Sequence, residues 1–357
     1  MADLKFLEEI TMAKGISGFE KEATRVMKKY LEDCTDEIVY DNIGSIIGIK
    51  KGTTDLKVAM TGHIDEIGFV VKEITDAGYI KVHPIGGWMG QNIPAHTCNI
   101  TTRDGKEIVG VFGSIPPHGK GPEARDKVTA PGDSFLDIGV ANKEEVTALG
   151  IRIGDPITPR SEFLPLANPK YLMAKAWDDR VGAAIATDVL RALKGVETSA
   201  NIYACGTVQE EVGLRGAKTV GQMIQPDVAF AIDVCFSKDL PDGEKSDVKL
   251  GCGVTLGVLD GSVIAHTGLL KEMEKICEEL NVGYALDVLP FGGTDSGELH
   301  KVGAGVVNMT LSIPSRYMHS HRTIIHEDDY DATVKVLAEF CKRLTPELLE
   351  EIKADKR

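Results

Sequence analysis

What most constrains this chain is an alternation. Short apolar runs of strand length are each followed by a helical period, and a histidine or an acid recurs at the junctions. "YLMAKAWDDRVGAAIATDVLRALKG" passes from a short strand into a helix, and "NIYACGTVQ" is a buried strand followed by two glutamates and another helix. "PDVAFAIDV" reads as a strand ending in Asp233, "TGLLKEMEKICEELN" as a helix, "AGVVNMTLS" as a strand and "DYDATVKVLAEFCKRL" as a closing helix. Nearer the N-terminus, "FLEEITMAKGISGFEKEATRVMKKYLEDC" is helical with a break at "GISG", and "SIIGIKKGTTDLKVAMTGH" makes two strands around a Gly-Thr-Thr turn. Such alternation predicts an α/β fold, a mixed sheet sandwiched by helices.

The segment from 70 to 162 breaks the pattern. "GFVVKEITDAGYIKVHPIGG", "TCNITTRDGKEIVGVFGSI" and "IRIGDPITP" are short strands with Asp-Gly and Ala-Gly turns and little helix. We read 70–162 as a small β domain inserted into an α/β domain made of 1–69 and 163–357.

Of 357 residues, 40 are Lys or Arg and 54 are Asp or Glu, a net charge of −14. A nucleic acid or an anionic membrane surface is repelled by such a field, so neither is expected as a partner. No stretch nears the roughly 20 apolar residues that span a bilayer. The N-terminus carries acids and lacks the pattern of a secretion signal. The seven cysteines are scattered, form no CxxC and are odd in number, which predicts buried thiols of a reducing cytoplasm.

The chemistry gathers at strand ends. "MTGHIDEIGF" supplies His63 and Asp65, "AWDDRVG" Asp178 and Asp179, "VQEEVG" Glu210 and Glu211, "AIDVC" Asp233, and "RYMHSH" His319 and His321. Sites in open α/β sheets lie at the carboxyl ends of strands, so these side chains are expected to converge. Taken singly, each has a plain reading: a histidine beside a strand, an aspartate pair that caps a helix, a glutamate pair in a solvated loop. Together, imidazole and carboxylate without thiolate suit Zn, Mn or Co. Two adjacent glutamates gain a purpose if one ligates a metal and the other stays free as a base.

In order along the chain, "GISGFE", "TGHIDEIGF", "GGW", "DIG", "AWDDRVG", "VQEEVGLRGA", "AIDV", "FGGTDSGELH" and "IPSRYMHS" resemble the dinuclear metallo-aminopeptidases of the TET type, which include glutamyl aminopeptidases and proteins once named cellulases. The resemblance implies a zinc-exopeptidase-like domain with an inserted β-barrel or PDZ-like domain that helps form dimers, and dimers that build a hollow dodecamer. It implies His63, Asp178 and Asp233 on one metal and Asp178, Glu211 and His319 on the other. Asp178 would bridge, Asp179 would cap the helix, Asp65 would orient His63, and Glu210 would act as general acid and base. The implied reaction removes the first residue of a short peptide by way of a bridging water activated by two cations, Zn or Co foremost and Mn as a third candidate. Gly292, Gly293 and Thr294 are expected to let a backbone approach the substrate.

Two departures stand out: Met89 in "GGWMGQ", where many relatives carry an acid, and the extra histidines His321 and His326 near His319. Two other functions compete. A glycosidase would use two facing carboxyl groups, but gives the histidines no task and finds few aromatic platforms in a chain with two tryptophans. A metal-binding scaffold without activity leaves Glu210 unexplained.

Overall fold

A computed structural model describes residues 2–119, 121 and 127–357. Helices α1 (Leu4–Met12) and α2 (Lys21–Leu31) flank the glycine break. Asp3 starts α1 by accepting the Phe6 amide. Strands β1 (Glu37–Tyr40), β2 (Ile46–Lys50) and β3 (Lys57–His63) follow. Next come β4 (Gly68–Ile74), β5 (Ile80–Ile85), β6 (Thr97–Thr101), β7 (Glu107–Phe112), β8 (Phe135–Asp137) and β9 (Pro156–Pro159), which close into a barrel in the order β4-β5-β8-β7-β6-β9. Phe69, Val82, Ile100, Phe112, Leu136 and Ile157 fill it. A short helix, α3 (Lys143–Ala148), sits between β8 and β9; the turn-rich sequence concealed it.

The chain returns through β10 (Leu164–Pro165) and β11 (Tyr171–Ala174) to α4 (Trp177–Ala192), β12 (Asn201–Thr207), α5 (Arg215–Ile224) and β13 (Val228–Phe236). It ends with β14 (Val254–Leu259), α6 (Thr267–Glu279), β15 (Tyr284–Val288), α7 (Ser296–Leu299), β16 (Val307–Ser315), β17 (Thr323–His326), α8 (Glu327–Arg343) and α9 (Pro346–Ala354). Two differences from the sequence reading concern boundaries. β13 continues three residues past Asp233, so that acid lies inside a strand. A further helix, α9, follows the expected closing one, started by Thr345 and Pro346.

Among the described residues, eight strands form the main sheet, ordered β1-β2-β12-β3-β13-β16-β14-β15. The central four, β12, β3, β13 and β16, are mutually parallel, so their carboxyl ends emerge along one edge. The period of two sorts their side chains. Val58, Met60 and Phe230 enter the large core under α1, α2, α4, α6, α8 and α9, while Ala59, Cys205 and Ala229 meet α5 and α7 on the opposite face.

α4 decides where the site can form. Its residues 179–190 are all buried, as expected of a helix rich in small apolar residues. Gly62 of β3 meets it backbone to backbone: a Cβ there would stand 2.1 Å from the Ala183 nitrogen. A Cβ at Gly182 would stand 2.3 Å from the Ile232 oxygen. These two glycines let the start of α4 lie directly against the ends of β3 and β13.

Candidate metal centre

Each strand end delivers its side chain to one place. His63 is the last residue of β3, Glu210 and Glu211 lie in the turn after β12, Asp233 points from β13, and His319 follows β16. Asp178 arrives from the start of α4. His63 Nε2 is 3.1 Å from Asp178 Oδ1 and 3.7 Å from Glu210 Oε2. The other Asp178 oxygen, Oδ2, is 3.5 Å from His319 Nε2. Ligand atoms of His63, Asp178 and Glu211 lie within 4.8 Å of one another, and so do those of His63, Glu210 and Asp233. All six residues line a cleft of about 440 Å³.

Both imidazoles are oriented from behind. His63 Nδ1 is 3.1 Å from the Asp65 carbonyl, and His319 Nδ1 is 2.7 Å from the Gly87 carbonyl. A carbonyl only accepts, so each Nδ1 carries a hydrogen and each Nε2 faces the carboxylates, where it donates a proton or, with a cation between them, would offer its lone pair to the cation. Gly87 belongs to the "GGW" loop of the barrel. Trp88 anchors that loop by donating to the Gly68 carbonyl at 3.0 Å and stacking on Phe69 at 4.8 Å. Met89 is 49% exposed, and the loop reaches the site through Gly87 instead.

Asp65 is fully buried and its carboxylate does more than face His63 Nδ1 at 3.5 Å. It accepts the Ser17 hydroxyl at 2.6 Å, the Glu210 amide at 3.1 Å and the Glu211 amide at 3.2 Å. The preceding amide, of Gln209, donates at 3.2 Å to Glu20, which also takes the Gly18 amide. Three consecutive amides of the glutamate turn are thus held by two buried acids. This turn needs such support, because Gln209 adopts a φ of +57°. Asp179 faces away from the cleft: it accepts the His63 amide at 3.0 Å and the Gly182 amide at 3.1 Å, which makes it a helix cap. The peptide between Asp178 and Asp179 is cis.

The cluster calls for positive charge. Burial, then the neighbouring carboxylates, pushes Glu211 up to about 7, and Glu210 and Asp233 well above the ordinary range. Burial opposes charge on His63, yet Glu210, Asp178 and Asp65 together raise its pKa well above the usual value. The nearby cations are spent elsewhere, since Lys175 and Arg180 pair with Glu66. Among the described residues no lysine or arginine forms an ion pair with Asp178, Glu210, Glu211 or Asp233. A buried set of nitrogen and oxygen donors with excess negative charge fits divalent cations.

Residues 44–336 match the family model of the M42 glutamyl aminopeptidases. The chain belongs to the M42 aminopeptidase family. It is 32% identical to a lysyl aminopeptidase of Pyrococcus furiosus over 97% of this chain and 99% of that one. A TET aminopeptidase from a marine-sediment Thaumarchaeota archaeon superposes with a TM-score of 0.95 at 35% identity, covering 98% of this chain and 99% of that one. A Pyrococcus horikoshii TET1 peptidase, described as assembling into a tetrahedron or a large octahedral shell, gives 0.85 at 29% identity over 96% and 100% of the two chains. As an M42 aminopeptidase the chain is a peptide hydrolase on an α/β fold with an inserted barrel.

The two extra histidines near His319 in this M42 chain have other surroundings. His321 packs on His96 of the barrel with ring centroids 3.3 Å apart, and burial with the His96 and Arg322 charges lowers it to about 4. His326 accepts the Asp328 amide at the start of α8. Reasoning from the sequence missed Ser17, Glu20 and Asp295. Asp295 is buried and accepts the Thr207 hydroxyl at 2.6 Å. Their signal was an acid or hydroxyl inside a glycine-rich motif, "GISGFE" or "FGGTDSG". The Gly87 carbonyl had no side-chain signal at all.

Proposed function

We propose that this chain removes the N-terminal residue of short peptides with two divalent cations, zinc or cobalt foremost and manganese as the third candidate. Asp178 carries the reading: one of its oxygens faces His63 and the other faces His319. That is the disposition of a carboxylate shared by two ions. His63, Asp178 and Asp233 would hold one ion, and Asp178, Glu211 and His319 the other. When bound, the pair supplies an acidified water and polarises the peptide carbonyl.

The chain's own residues then have distinct tasks. Glu210 takes a proton from the attacking water and hands it to the leaving amine. Burial, with the Asp233 and Glu211 carboxylates, raises its pKa, the direction that favours taking up the water's proton. Asp65 holds the His63 ring and the glutamate turn in one arrangement. The free α-amine of the substrate binds among the carboxylates, which restricts cleavage to the first bond. Gly292, Gly293 and Thr294 line the same cleft and offer it backbone. A glycosidase gives no task to two imidazoles aimed into the cluster, and an inert metal store gives none to Glu210.

The barrel is proposed to mediate self-association, first as dimers and then as a dodecamer, in the cytoplasm. β7 turns Val109 and Val111 outward, 48% and 39% exposed, and Ile115 is 57% exposed nearby in sequence. Apolar side chains so displayed on one element mark a contact surface. No helix of the described residues is long and apolar enough to cross a membrane.

The test is a chelation series with paired substrates. Activity should vanish on exhaustive chelation and return with Co, Zn or Mn, and acetylated peptides should resist cleavage. Full turnover without metal, or equal rates on free and acetylated peptides, would refute the proposal.

A further inference from the structure

The glycine loop at the mouth of the cleft is held from its root. Gly292, Gly293 and Thr294 line the cleft, and Phe291 before them is 81% exposed. Residues 290–293 are exposed and, among the described residues, make no main-chain hydrogen bond. Gly292 turns the chain there with a φ of +86°. A stretch without such bonds shifts at little cost, so its place over the cleft is set by what anchors its end.

That end is Thr294, Asp295 and Ser296, all buried. The Asp295 carboxylate accepts the Thr207 hydroxyl at 2.6 Å, with the Thr61 hydroxyl close by. On the other side the hydroxyls of Thr294 and Thr310 are 2.9 Å apart, and Thr310 donates to Ser296 at 2.9 Å. The register shows where these posts stand. Thr207 of β12 lies beside His63 of β3, and Thr310 of β16 lies beside Ala231 of β13, two residues before Asp233. In the sheet, β3 and β13 run between β12 and β16. The root of the loop therefore straddles the two strands that carry His63 and Asp233.

The ordinary tasks of a buried aspartate are absent at Asp295. It stands at the start of α7, but its side chain makes no capping bond. Among the described residues no lysine or arginine pairs with it, and it lies outside both groups of converging ligand atoms. An acid only 3% exposed is costly to bury, and what it gains here is the bond to Thr207. We infer that Asp295 is a positioning residue for substrate binding, which through Thr207 fixes the loop of Gly292, Gly293 and Thr294 over the metal centre. The inference rests on the aminopeptidase reading, in which that loop offers its backbone to the peptide. The loop meets the substrate away from the reacting bond. Loosening it therefore weakens the ground state and the transition state alike, and the loss falls on KM rather than kcat.

The decisive pair is Thr207→Val, which keeps the shape and removes the hydroxyl, and Thr207→Ser, which keeps the hydroxyl. With metal-loaded protein and a free aminoacyl reporter, Thr207→Val should raise KM about 10-fold, the size of one buried hydrogen bond lost, while kcat and bound metal stay near wild type. Thr207→Ser should restore KM. Asp295→Ala should repeat the Thr207→Val result; should it fail to fold, the threonine pair still decides. Hydrogen exchange of the metal-free protein reads the same link without turnover: the amides of 291–294 should exchange faster in Thr207→Val than in the wild type or Thr207→Ser. An unmoved KM in folded Thr207→Val, a fall in kcat or bound metal without a rise in KM, or a serine variant no better than the valine one overturns the inference and leaves the aminopeptidase reading standing. No turnover of any free aminoacyl substrate by the wild type would remove both.

Discussion

Replacing Asp65 by Asn tests how the glutamate turn is held. The carboxylate has 0% exposure and receives three hydrogen bonds, from Ser17 Oγ and from the Glu210 and Glu211 amides. It also faces His63 Nδ1. Burial alone would raise its pKa, but the His63 hydrogen bond and charge and the Ser17 hydroxyl hold it below the ordinary range, so it acts as an anion. An amide of the same shape has one oxygen. If its NH₂ takes the Oδ2 position, the Glu211 amide meets a donor. If it takes Oδ1, the Glu210 amide and His63 Nδ1 do. Either way a buried main-chain donor loses a charged acceptor, a cost of about 1.5–3 kcal/mol. Part of that cost appears as a lower unfolding midpoint. The rest displaces the base and ligand, and losing a group that supports metal ligands typically costs 10–100-fold in metal affinity or activity. We therefore expect Asp65→Asn to lower kcat at saturating metal by about 10–100-fold, and to weaken metal binding. Steady-state kinetics over a metal titration and a thermal melt of the same preparation measure both. A variant with wild-type kcat and metal affinity would refute the claim that Asp65 organises the site.

Removing the cations should make stability depend on pH. The Glu211 carboxyl is raised from 4.5 to about 7, by burial first and by Asp178 next. The folded chain keeps a proton that the unfolded chain gives up. Chelated protein is therefore favoured below about pH 4.5 and loses up to about 3 kcal/mol as pH climbs to about 7. Its melting temperature should be lower at pH 8 than at pH 5.5, and the gap to the metal-loaded form should widen with pH; a gap that narrows would refute this. For self-association, Val109→Glu with Val111→Glu should shrink the particle seen by light scattering, and an unchanged particle would show that the outer face of β7 is not the contact.

The strand ends were legible because catalysis on a parallel sheet leaves a local mark: an apolar run that stops at a His or an acid. His63, Glu210, Glu211, Asp233 and His319 carried that mark, and the structure brings them together. Asp178 and Asp179 could not be separated by pattern, since both open the same helix. Only the folded geometry shows which faces the cleft: Asp178 meets His63 and His319, while Asp179 accepts the His63 and Gly182 amides. The contribution of Gly87 is a main-chain oxygen, which any residue would supply. Glu20 acts on Gln209 from 189 positions away, and no local period records such a contact. The edge strands β1 and β15, the strand β14 beside β15, and the helices α3 and α9 were missed where runs are short or two helices abut.

The central claim is that adjacent glutamates divide the labour of base and ligand. The most direct measurement is bound metal per chain together with kcat for Glu210→Gln and Glu211→Gln. Glu210→Gln cannot accept a proton, so it should keep two ions and lose about 10²–10⁴-fold in turnover, with no rescue by added metal. Glu211→Gln removes an anionic ligand, so it should lose one ion and regain part of its activity when metal is added in excess. Loss of metal from Glu210→Gln with retention in Glu211→Gln would reverse the two roles, and unchanged turnover in both would contradict the account.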